Sequence, residues 1–324
     1  MEKASRLGNI DFLKGVLIIL VIAGHVLQGP VQQNFLRYII YSFHMPVFIG
    51  ISGYLFNSTK NSNLSILGLI NKYWLRIIVP WIIAVIVYAL ILNPHFGGIN
   101  KEIHFIEHSF LSPFYHLWFI PGFLSWVLIT WVAKKLKISD VYFLIISAII
   151  SIVALIFNYY PELYHQTPVN STIIIILHTF KPYYLVFFVF GNYLKSHHFS
   201  FNMAAIKIAA ISSLAGIILM FFFNSIILSI VLLFVFNALL LIILTDAAQK
   251  NTFPHSDKLE WIGKNSLGIY LWHVLPINIL ERLLGTGNLP LFYTVTIATE
   301  LAFLFVMMQI TKIKLINKYV FGMV

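Results

Sequence analysis

Long apolar runs without regular alternation of polar and apolar positions dominate this sequence. Such runs predict membrane-spanning helices rather than strands, because a spanning helix needs about 20 mostly apolar residues. Polar positions cluster between the runs, and no internal repeat or low-complexity tract is visible. The pattern predicts ten spans, at 13–28, 35–56, 74–93, 116–133, 141–160, 172–194, 204–223, 225–246, 261–281 and 289–311. The predicted fold class is all-α, a polytopic integral membrane helical bundle.

Composition supports a membrane protein and excludes several other classes. Of the 324 residues, 60% are hydrophobic and 10% are charged, whereas soluble domains have about 45–50% and about 25%. A soluble enzyme and a disordered chain are therefore excluded. The absence of cysteine excludes thiol catalysis, Cys-ligated zinc and disulfides. We expect one membrane domain over residues 1–324 without an appended soluble domain, and a first span that is retained rather than cleaved.

The distribution of positive charge predicts the orientation of the spans. The net charge of +10 would suggest nucleic acid in a soluble protein, but cytoplasmic loops of membrane proteins also collect Lys and Arg. With the N-terminus in the cytoplasm, 17 of the 21 Lys and Arg residues fall in inner segments and 3 in outer segments, while Lys181 lies inside a span. This division predicts that both termini are cytoplasmic, and it explains the charge without a nucleic-acid partner.

The longest predicted outer loop, about 94–115, contains a pair of histidines. His104 and His108 are four residues apart, a spacing that can place two metal ligands on one face of a helix. Glu107 and His116 lie nearby, but no obvious third ligand completes a site. We therefore expect a solvated loop here and no metal.

Titratable and strongly polar side chains inside the spans are the main candidates for function, since a charged one costs about 2.5–3.5 kcal/mol to insert. The set is His25, His44, His178, Lys181, Asn237, His273 and Glu300. At 1.5 Å per residue, four of these groups lie about 13–18 Å from one end of their spans. The four, which we expect to share one layer near the membrane centre, are His25, His44, His273 and Glu300. The alternative for each histidine is a structural hydrogen bond to a neighbouring helix.

Two prolines predict local breaks in the hydrogen bonding of spans. Lys181 directly precedes Pro182, and we expect its ammonium to satisfy carbonyls that are freed at a kink. In the second span Pro46 likewise frees a carbonyl inside the membrane. Further along that span, Ser52 and Gly53 favour the close approach of a neighbouring helix.

Four segments of the sequence resemble the membrane acyltransferase-3 family. The family opens with Ile-Asp-x-x-(Arg/Lys)-Gly and an apolar helix that ends in His, and the segment RLGNIDFLKGVLIILVIAGHVLQ at 6–28 is similar. Lys14 and His25 keep the family spacing (Arg/Lys)-x10-His. The other segments, in the family's order, are FHMPVFIGISGYLF at 43–56, HLWF at 116–119 and IGKNSLGIYLWH at 262–273. The resemblance covers essentially the whole chain.

The resemblance implies an enzyme of a bacterial-type inner membrane that moves acetyl from cytoplasmic acetyl-CoA to a hydroxyl of a cell-surface or lipid-linked sugar. It points to His25 as the essential residue, and the chemistry agrees. A sugar hydroxyl is a poor nucleophile, and imidazole, with an ordinary pKa near 6.5, can accept its proton. A route in which Ser52 carries the acyl group ranks below direct transfer to the sugar. Further catalytic or acceptor-side candidates are His273, Tyr270, His44, His116, Trp118 and Glu300.

The phosphates of CoA predict a basic binding site at the inner ends of the spans. The candidates are Lys14, Lys72 and Arg76. Many relatives have Arg-x-x-Arg where this chain has Lys72-x3-Arg76, so the assignment is stronger for Arg76. Asp11 is three residues before Lys14, so the two can pair on one helix face in a supporting role. Candidates for the wall of the donor channel are Ser52 and Tyr54.

Several alternatives stay open on sequence alone. A transporter or exporter of glycan also has many spans with polar residues near the midplane, although no inverted repeat supports it here. A transferase of succinyl or another short acyl chain would need only a different pocket volume. Trp118 stacks on a sugar ring or belongs to the aromatic belt, and Tyr54 contacts CoA or anchors its span at the interface.

Overall fold

Every regular element among the described residues is helical, which confirms the all-α prediction. The computed structural model describes residues 2–92, 108–164, 167–197, 201–223 and 225–322. The helices of the first half are α1 (Glu2–Val26), α2 (Phe35–Leu55), α3 (Ser58–Ser62), α4 (Ile66–Tyr73), α5 (Val79–Leu92), α6 (Phe119–Lys135) and α7 (Asp140–Tyr159). The second half has α8 (Asn170–Ile175), α9 (Leu185–Ser196), α10 (Met203–Phe223), α11 (Ile226–Gln249), α12 (Asp257–Lys264), α13 (Ser266–Trp272), α14 (Val274–Leu284), α15 (Leu289–Ile310) and α16 (Lys314–Tyr319).

Short turns of other helix types interrupt two of the predicted spans. A π turn, Trp74–Ile78, joins α4 to α5. A second π turn, Ile176–Phe180, extends α8, and the 3-10 turn Pro182–Tyr184 then leads into α9. The two parts of this broken segment are bent by 44° relative to each other.

Eight helices of the described chain are long and apolar enough to cross a membrane, and the bent segment counts as a ninth if it forms one span. These nine coincide with nine of the ten predicted spans. The remaining prediction, 116–133, coincides with α6, whose 17 residues stand at the lower limit of spanning length. The structure therefore supports a multi-pass membrane protein, while the count of ten and the cytoplasmic termini stay predictions.

Large apolar side chains cover the outer surfaces of the long helices. Ile211 is 68% exposed and Leu301 is 64% exposed. A soluble monomer rarely presents continuous apolar surface of this kind, so these faces suit contact with lipid.

The first of two compact units comprises residues 1–56 and 190–305. Within it α1 packs along α12 and also contacts α2 and α13. Glycine makes the contact between α1 and α12 close, because a Cβ atom at Gly263 would collide with the Asp11 carbonyl oxygen and one at Gly15 with that of Leu259. Small residues of this kind let the backbones of membrane helices touch.

The second unit comprises residues 57–189 and 306–324. In it α6 packs on α3 and on the Ile176–Phe180 turn, and α7 packs on the Pro182–Tyr184 turn. Trp126 and Tyr88 are among its fully buried side chains. The single membrane domain expected over residues 1–324 stays a prediction.

Candidate active site

His25 lies in the last turn of α1, beside Tyr41 of α2. Its Nδ1 atom is 3.5 Å from the Tyr41 hydroxyl oxygen, and the two rings meet edge to face. Gly24 permits this approach, because a Cβ atom there would stand 2.9 Å from the Tyr41 ring. The His25 ring also lies 5.2 Å from the His273 ring, measured between centroids. His25, itself half-buried, therefore contacts one phenol and one imidazole.

A chain of polar contacts links His25 to the turn between α1 and α2. Arg37 donates from Nη2 to the Tyr41 hydroxyl oxygen at 3.4 Å, and its guanidinium lies 5.2 Å from the centre of the Tyr41 ring. Arg37 also donates from Nη1 to the carbonyl of Gly29. Tyr41 was not among the sequence candidates. Its sequence signals are the Tyr41-x2-His44 spacing, which places both residues on one face of α2, and the glycine just before His25.

His44 supports α2 and is 3% exposed. Its Nδ1 atom is 2.6 Å from the carbonyl oxygen of Ile40. A carbonyl only accepts, so Nδ1 carries the proton and donates. The His44 ring packs edge to face against Tyr41 at 5.0 Å. The histidine thus helps to hold Tyr41 in place beside His25.

The carbonyl freed by Pro46 finds a partner from a distant helix. Proline at this position removes the hydrogen bond to the carbonyl of Ser42, four residues earlier. The amide nitrogen of Asn237 on α11 donates to that carbonyl at 2.8 Å. Asn237 is fully buried. Its bond to the Ser42 carbonyl explains why this polar side chain is present inside a predicted span.

His273 is completely buried between α13 and α14. Its Nδ1 atom is 2.9 Å from the carbonyl of Tyr270 and 3.1 Å from that of Ile269. These carbonyls can only accept, so Nδ1 carries the proton and Nε2 holds the lone pair of the neutral ring. The side chain of Tyr270 is buried too, and its ring centre is 6.0 Å from that of His273.

Glu300 is 4% exposed on α15, and its carboxylate oxygens have no hydrogen-bond partner among the described residues. The hydroxyl of Thr296, one turn earlier and fully buried, likewise has none within the described chain. At the start of α15, the Tyr293 hydroxyl accepts from the backbone N–H of Gln28 at 3.3 Å. Helix rise places Thr296 at about the depth of His25, since each is three residues from this bond. No hydrogen bond joins the Glu300 carboxylate to the histidines in the described structure.

The candidate phosphate-binding residues belong to different units. In the first, Lys14 lies 3.3 Å from Asp11, as the spacing predicted. In the second, Lys72 donates to the Asn61 side-chain oxygen at 2.5 Å, and Arg76 is exposed on the Trp74–Ile78 turn. A basic site shared by Lys14, Lys72 and Arg76 stays a prediction.

The two channel candidates on α2 are bonded within the first unit. The Ser52 hydroxyl donates to the carbonyl of Phe48 at 2.9 Å, in its own helix. The Tyr54 side chain is 2% exposed, and its hydroxyl accepts from the Gln249 amide at 3.0 Å. This burial favours a role for Tyr54 in holding α2 to α11, rather than donor contact or anchoring at the interface.

A cavity of about 400 Å³ opens between the start of α1 and the segment before α12. Phe12 and Phe253 stack there at 5.6 Å, and Asn9 donates to the Asn251 side chain at 2.9 Å. Aromatic faces, amide groups and the paired side chains of His255 and Glu260 line this space. Its volume lies in the range of about 300–1,000 Å³ that is usual for small-molecule sites.

His116 and Trp118 stand just before α6 in the second unit. His116 is 2% exposed and packs edge to face on Tyr88 at 5.2 Å. Trp118 is half-buried and stacks on Tyr184 at 5.6 Å, with the rings nearly parallel. Of the two, Trp118 presents the more accessible ring.

The predicted outer loop lies mostly beyond the residues that the structure describes. His104 and Glu107 fall outside them, and His108 is exposed. Within the described ranges no group of three or more His, Asp or Glu side chains is placed to hold a metal ion. The expectation of no metal stays a prediction.

Comparison with known proteins gives a family and two partial relatives. Residues 7–309 match the family described as an acyltransferase domain, acyltransferase 3. The chain is 26% identical over 194 residues to nodulation protein NolL of Sinorhizobium fredii, covering 57% of this chain and 48% of that protein. It is 48% identical over 54 residues to nodulation protein NolL of Mesorhizobium japonicum, 14% of each chain. The chain thus spans about half the length of the first relative and 14% of the second. No solved structure matches.

Proposed function

Because the chain belongs to the acyltransferase 3 family, we propose that it is a membrane O-acetyltransferase that moves acetyl from acetyl-CoA to a hydroxyl of a cell-surface or lipid-linked sugar. The family supplies the reaction class, acyl transfer. The half-buried imidazole of His25, in contact with Tyr41 and His273 inside a bundle of apolar helices, is the observation that carries the proposal. A bacterial-type inner membrane is the proposed location.

The proposed reaction is direct transfer with His25 as the general base. The sugar hydroxyl attacks the thioester carbonyl carbon while the imidazole accepts its proton. The tetrahedral intermediate then expels the CoA thiolate, which takes a proton from the imidazolium. A C–O ester bond and an S–H bond form, while the C–S thioester bond and the O–H bond of the sugar break. A positioned base of this kind contributes about 10²–10⁴-fold in rate.

Tyr41 supports the required tautomer of His25. To accept a proton at Nε2, the neutral ring must carry its hydrogen on Nδ1. Nδ1 then donates to the Tyr41 oxygen 3.5 Å away, and this oxygen can accept a second bond from Arg37. Tyr41 is therefore proposed as a positioning residue, and Arg37 as the anchor of Tyr41.

His273 supports His25 from the buried side. Its Nδ1 proton is held by two backbone carbonyls, which fixes the orientation of the ring. With the centroids 5.2 Å apart, the fixed ring limits the positions open to His25. We assign His273 to positioning and His25, the more accessible of the two, to proton transfer.

Basic groups support a phosphate-bearing donor. The proposed contacts for the phosphates of acetyl-CoA are Lys14 in the first unit and Lys72 and Arg76 in the second, as the sequence predicted. Arg76 lies in a π turn, which contains one residue more than an α turn. The spacing Lys72-x3-Arg76 is likewise one residue longer than the family's Arg-x-x-Arg. The cavity beside Phe12 and Phe253 is the proposed seat for the nucleotide end of the donor.

The test is acetyl transfer by the purified protein in lipid nanodiscs. Radiolabelled acetyl-CoA is supplied with bacterial glycans and lipid-linked sugars, and succinyl-CoA is run in parallel. Wild type should label a sugar from acetyl-CoA, and His25→Ala should lose most of that label. His197→Ala, a histidine stacked on Tyr193 at the end of α9, is the matched control and should keep it. Labelling from succinyl-CoA alone would replace acetyl as the transferred group, and no transfer to any acceptor would favour a glycan transporter.

A further inference from the structure

The bent membrane segment breaks at a lysine in an unfavourable backbone conformation. Lys181 separates the Ile176–Phe180 and Pro182–Tyr184 turns and has φ 44° and ψ 59°, in the left-handed region. This region is unfavourable for residues other than glycine, and such strain concentrates at ligand sites and switches. Broken helices at membrane depth occur where the backbone is buried in protein or lines a cavity.

Among the described residues, the side chains that bond the backbone near the break are those of Ser151 and Thr179, whereas the sequence expectation was the Lys181 ammonium. The Ser151 hydroxyl donates to the Pro182 carbonyl at 3.2 Å and accepts from the Val186 N–H at 3.1 Å. Thr179 donates to the carbonyl of Leu111. The side chain of Lys181 is therefore available for another task.

The Lys181 ammonium lies among aromatic rings. Its nitrogen is 5.0 Å from the centre of the Trp118 ring and 5.7 Å from that of Tyr183. Trp118 in turn stacks on Tyr184 at 5.6 Å. All four side chains are half-buried, and Tyr183 also packs against the buried cluster of Ala154, Tyr164 and Leu177. Among the described residues the ammonium has no oxygen partner within hydrogen-bond distance, although it can donate three bonds.

We propose that Lys181, Trp118 and Tyr183 form a binding site for a sugar that carries a negative group, a phosphate or a carboxylate. An ammonium inside a membrane span is costly unless an anion pairs with it. The exposed parts of the Trp118 and Tyr183 rings offer apolar surface to the ring of the sugar, and the indole N–H and phenol O–H can bond to its hydroxyl groups or to water. The ligand thus supplies the oxygen atoms that the described residues do not offer to the lysine.

The site belongs to the acceptor if the proposed function is correct. Trp118 follows the predicted outer loop 94–115, and the bent segment begins at 170, after the next predicted outer loop. Both therefore fall in the outer half under the predicted orientation. The acceptor role rests on the proposed function, whereas binding of the anionic sugar does not.

The test compares Lys181→Met with Lys195→Met, a lysine of the same bent segment whose ammonium donates to the Leu55 carbonyl. Equilibrium binding to protein in neutral-lipid nanodiscs is measured for three radiolabelled probes: a polyprenyl-phosphate-linked sugar, a uronic acid oligosaccharide and a neutral oligosaccharide. We expect Lys181→Met to weaken an anionic probe tenfold or more and the neutral probe less than twofold. The probe that loses affinity identifies phosphate or carboxylate. Lys195→Met should alter neither.

Lys181→Arg separates loss of charge from loss of fold, because it keeps the charge and should stay within threefold of wild type. Equal affinities of wild type and Lys181→Met for both anionic probes would overturn the inference, as would equal losses for the anionic and neutral probes. Acetyl transfer is assayed separately. Charge-dependent binding without any transfer would contradict only the proposed function, and transfer without charge-dependent binding would contradict only this inference.

Discussion

At the scale of single residues, neighbouring imidazoles in this bundle are bonded in different ways. His44 and His273 give their Nδ1 protons to carbonyls of their own chain segments, which is the usual structural use of a buried histidine. His25 instead meets the hydroxyl of Tyr41 and is half-buried. Of these three histidines, His25 is the one that combines partial exposure with a side-chain partner able to accept from its Nδ1 in both the neutral and the charged ring.

The contact between His25 and Tyr41 predicts a kinetic effect. Tyr41→Phe removes the hydroxyl and should lower kcat about 2–10-fold, the equivalent of a hydrogen bond worth about 0.5–1.5 kcal/mol. The KM for acetyl-CoA should not change, because Tyr41 has no proposed role in donor binding. Steady-state kinetics of the purified variant measure both constants.

Tyr38→Phe is the matched control for this prediction. Tyr38 is one turn earlier on α2, and its hydroxyl donates to the Ile217 carbonyl at 3.3 Å. This variant should keep wild-type kcat. Equal losses in kcat for the two variants would mean that the Tyr41 hydroxyl supports only the fold of α2.

At the scale of helices, the sequence predicted where the long apolar helices lie and that the segment at Pro182 is bent, but not the contacts that stabilise the break. Apolar runs determine where a helix can span, so nine predicted spans coincide with helical segments. The left-handed backbone at Lys181 was not predicted. Neither was the hydrogen bond from Asn237 to the Ser42 carbonyl, which joins residues that are far apart in the chain. Such contacts leave no local pattern, and the expected carbonyl-binding role of Lys181 was wrong for this reason.

The same limit applies to the candidate site. Counting residues along a helix gives depth, and His25, His44 and His273 do fall in one connected cluster through Tyr41. That count does not show how each helix is rotated about its axis, and so does not show which side chains face each other. Glu300 was predicted at the same depth, yet its carboxylate makes no hydrogen bond to the cluster in the described structure.

The break in the bent segment predicts a stability difference between two serines of α7. Ser151→Ala leaves the Pro182 carbonyl and the Val186 N–H without their partner, so it should destabilise the protein by about 1–3 kcal/mol. Thermal unfolding in detergent measures the effect.

Ser147→Ala is the control for the serine at the break. Ser147 is equally buried, but its hydroxyl donates to the Leu144 carbonyl within its own helix at 2.8 Å. Its loss leaves the backbone bonds of α7 in place and should cost less than about 1 kcal/mol. A Ser147→Ala variant as unstable as Ser151→Ala would show that serine volume, rather than the bonds at the break, stabilises this region.

At the scale of the whole molecule, charge predicts orientation. Because the chain has no cysteine, single introduced cysteines are its only thiols. Lys258→Cys lies in a predicted inner segment and Gly287→Cys in a predicted outer one, and both positions are exposed. A membrane-impermeant maleimide should label Gly287→Cys in intact cells and Lys258→Cys only after permeabilisation.

The opposite labelling pattern would reverse the predicted orientation, and labelling of both cysteines in intact cells would contradict the predicted placement of the inner segment. Either result would also move Lys14 away from cytoplasmic acetyl-CoA and remove the basis for its donor role.

Chemical rescue of the missing base tests whether His25 accepts the proton of the sugar hydroxyl. His25→Gly leaves a space in α1 beside Tyr41, and added imidazole can occupy it and accept the hydroxyl proton. Acetyl transfer by this variant should be very low, should recover in part as imidazole is added, and should rise with pH as the added imidazole loses its proton. A His25→Gly variant that transfers acetyl at the wild-type rate, or one that binds both substrates normally and gains nothing from imidazole, would contradict the role of His25 as the base.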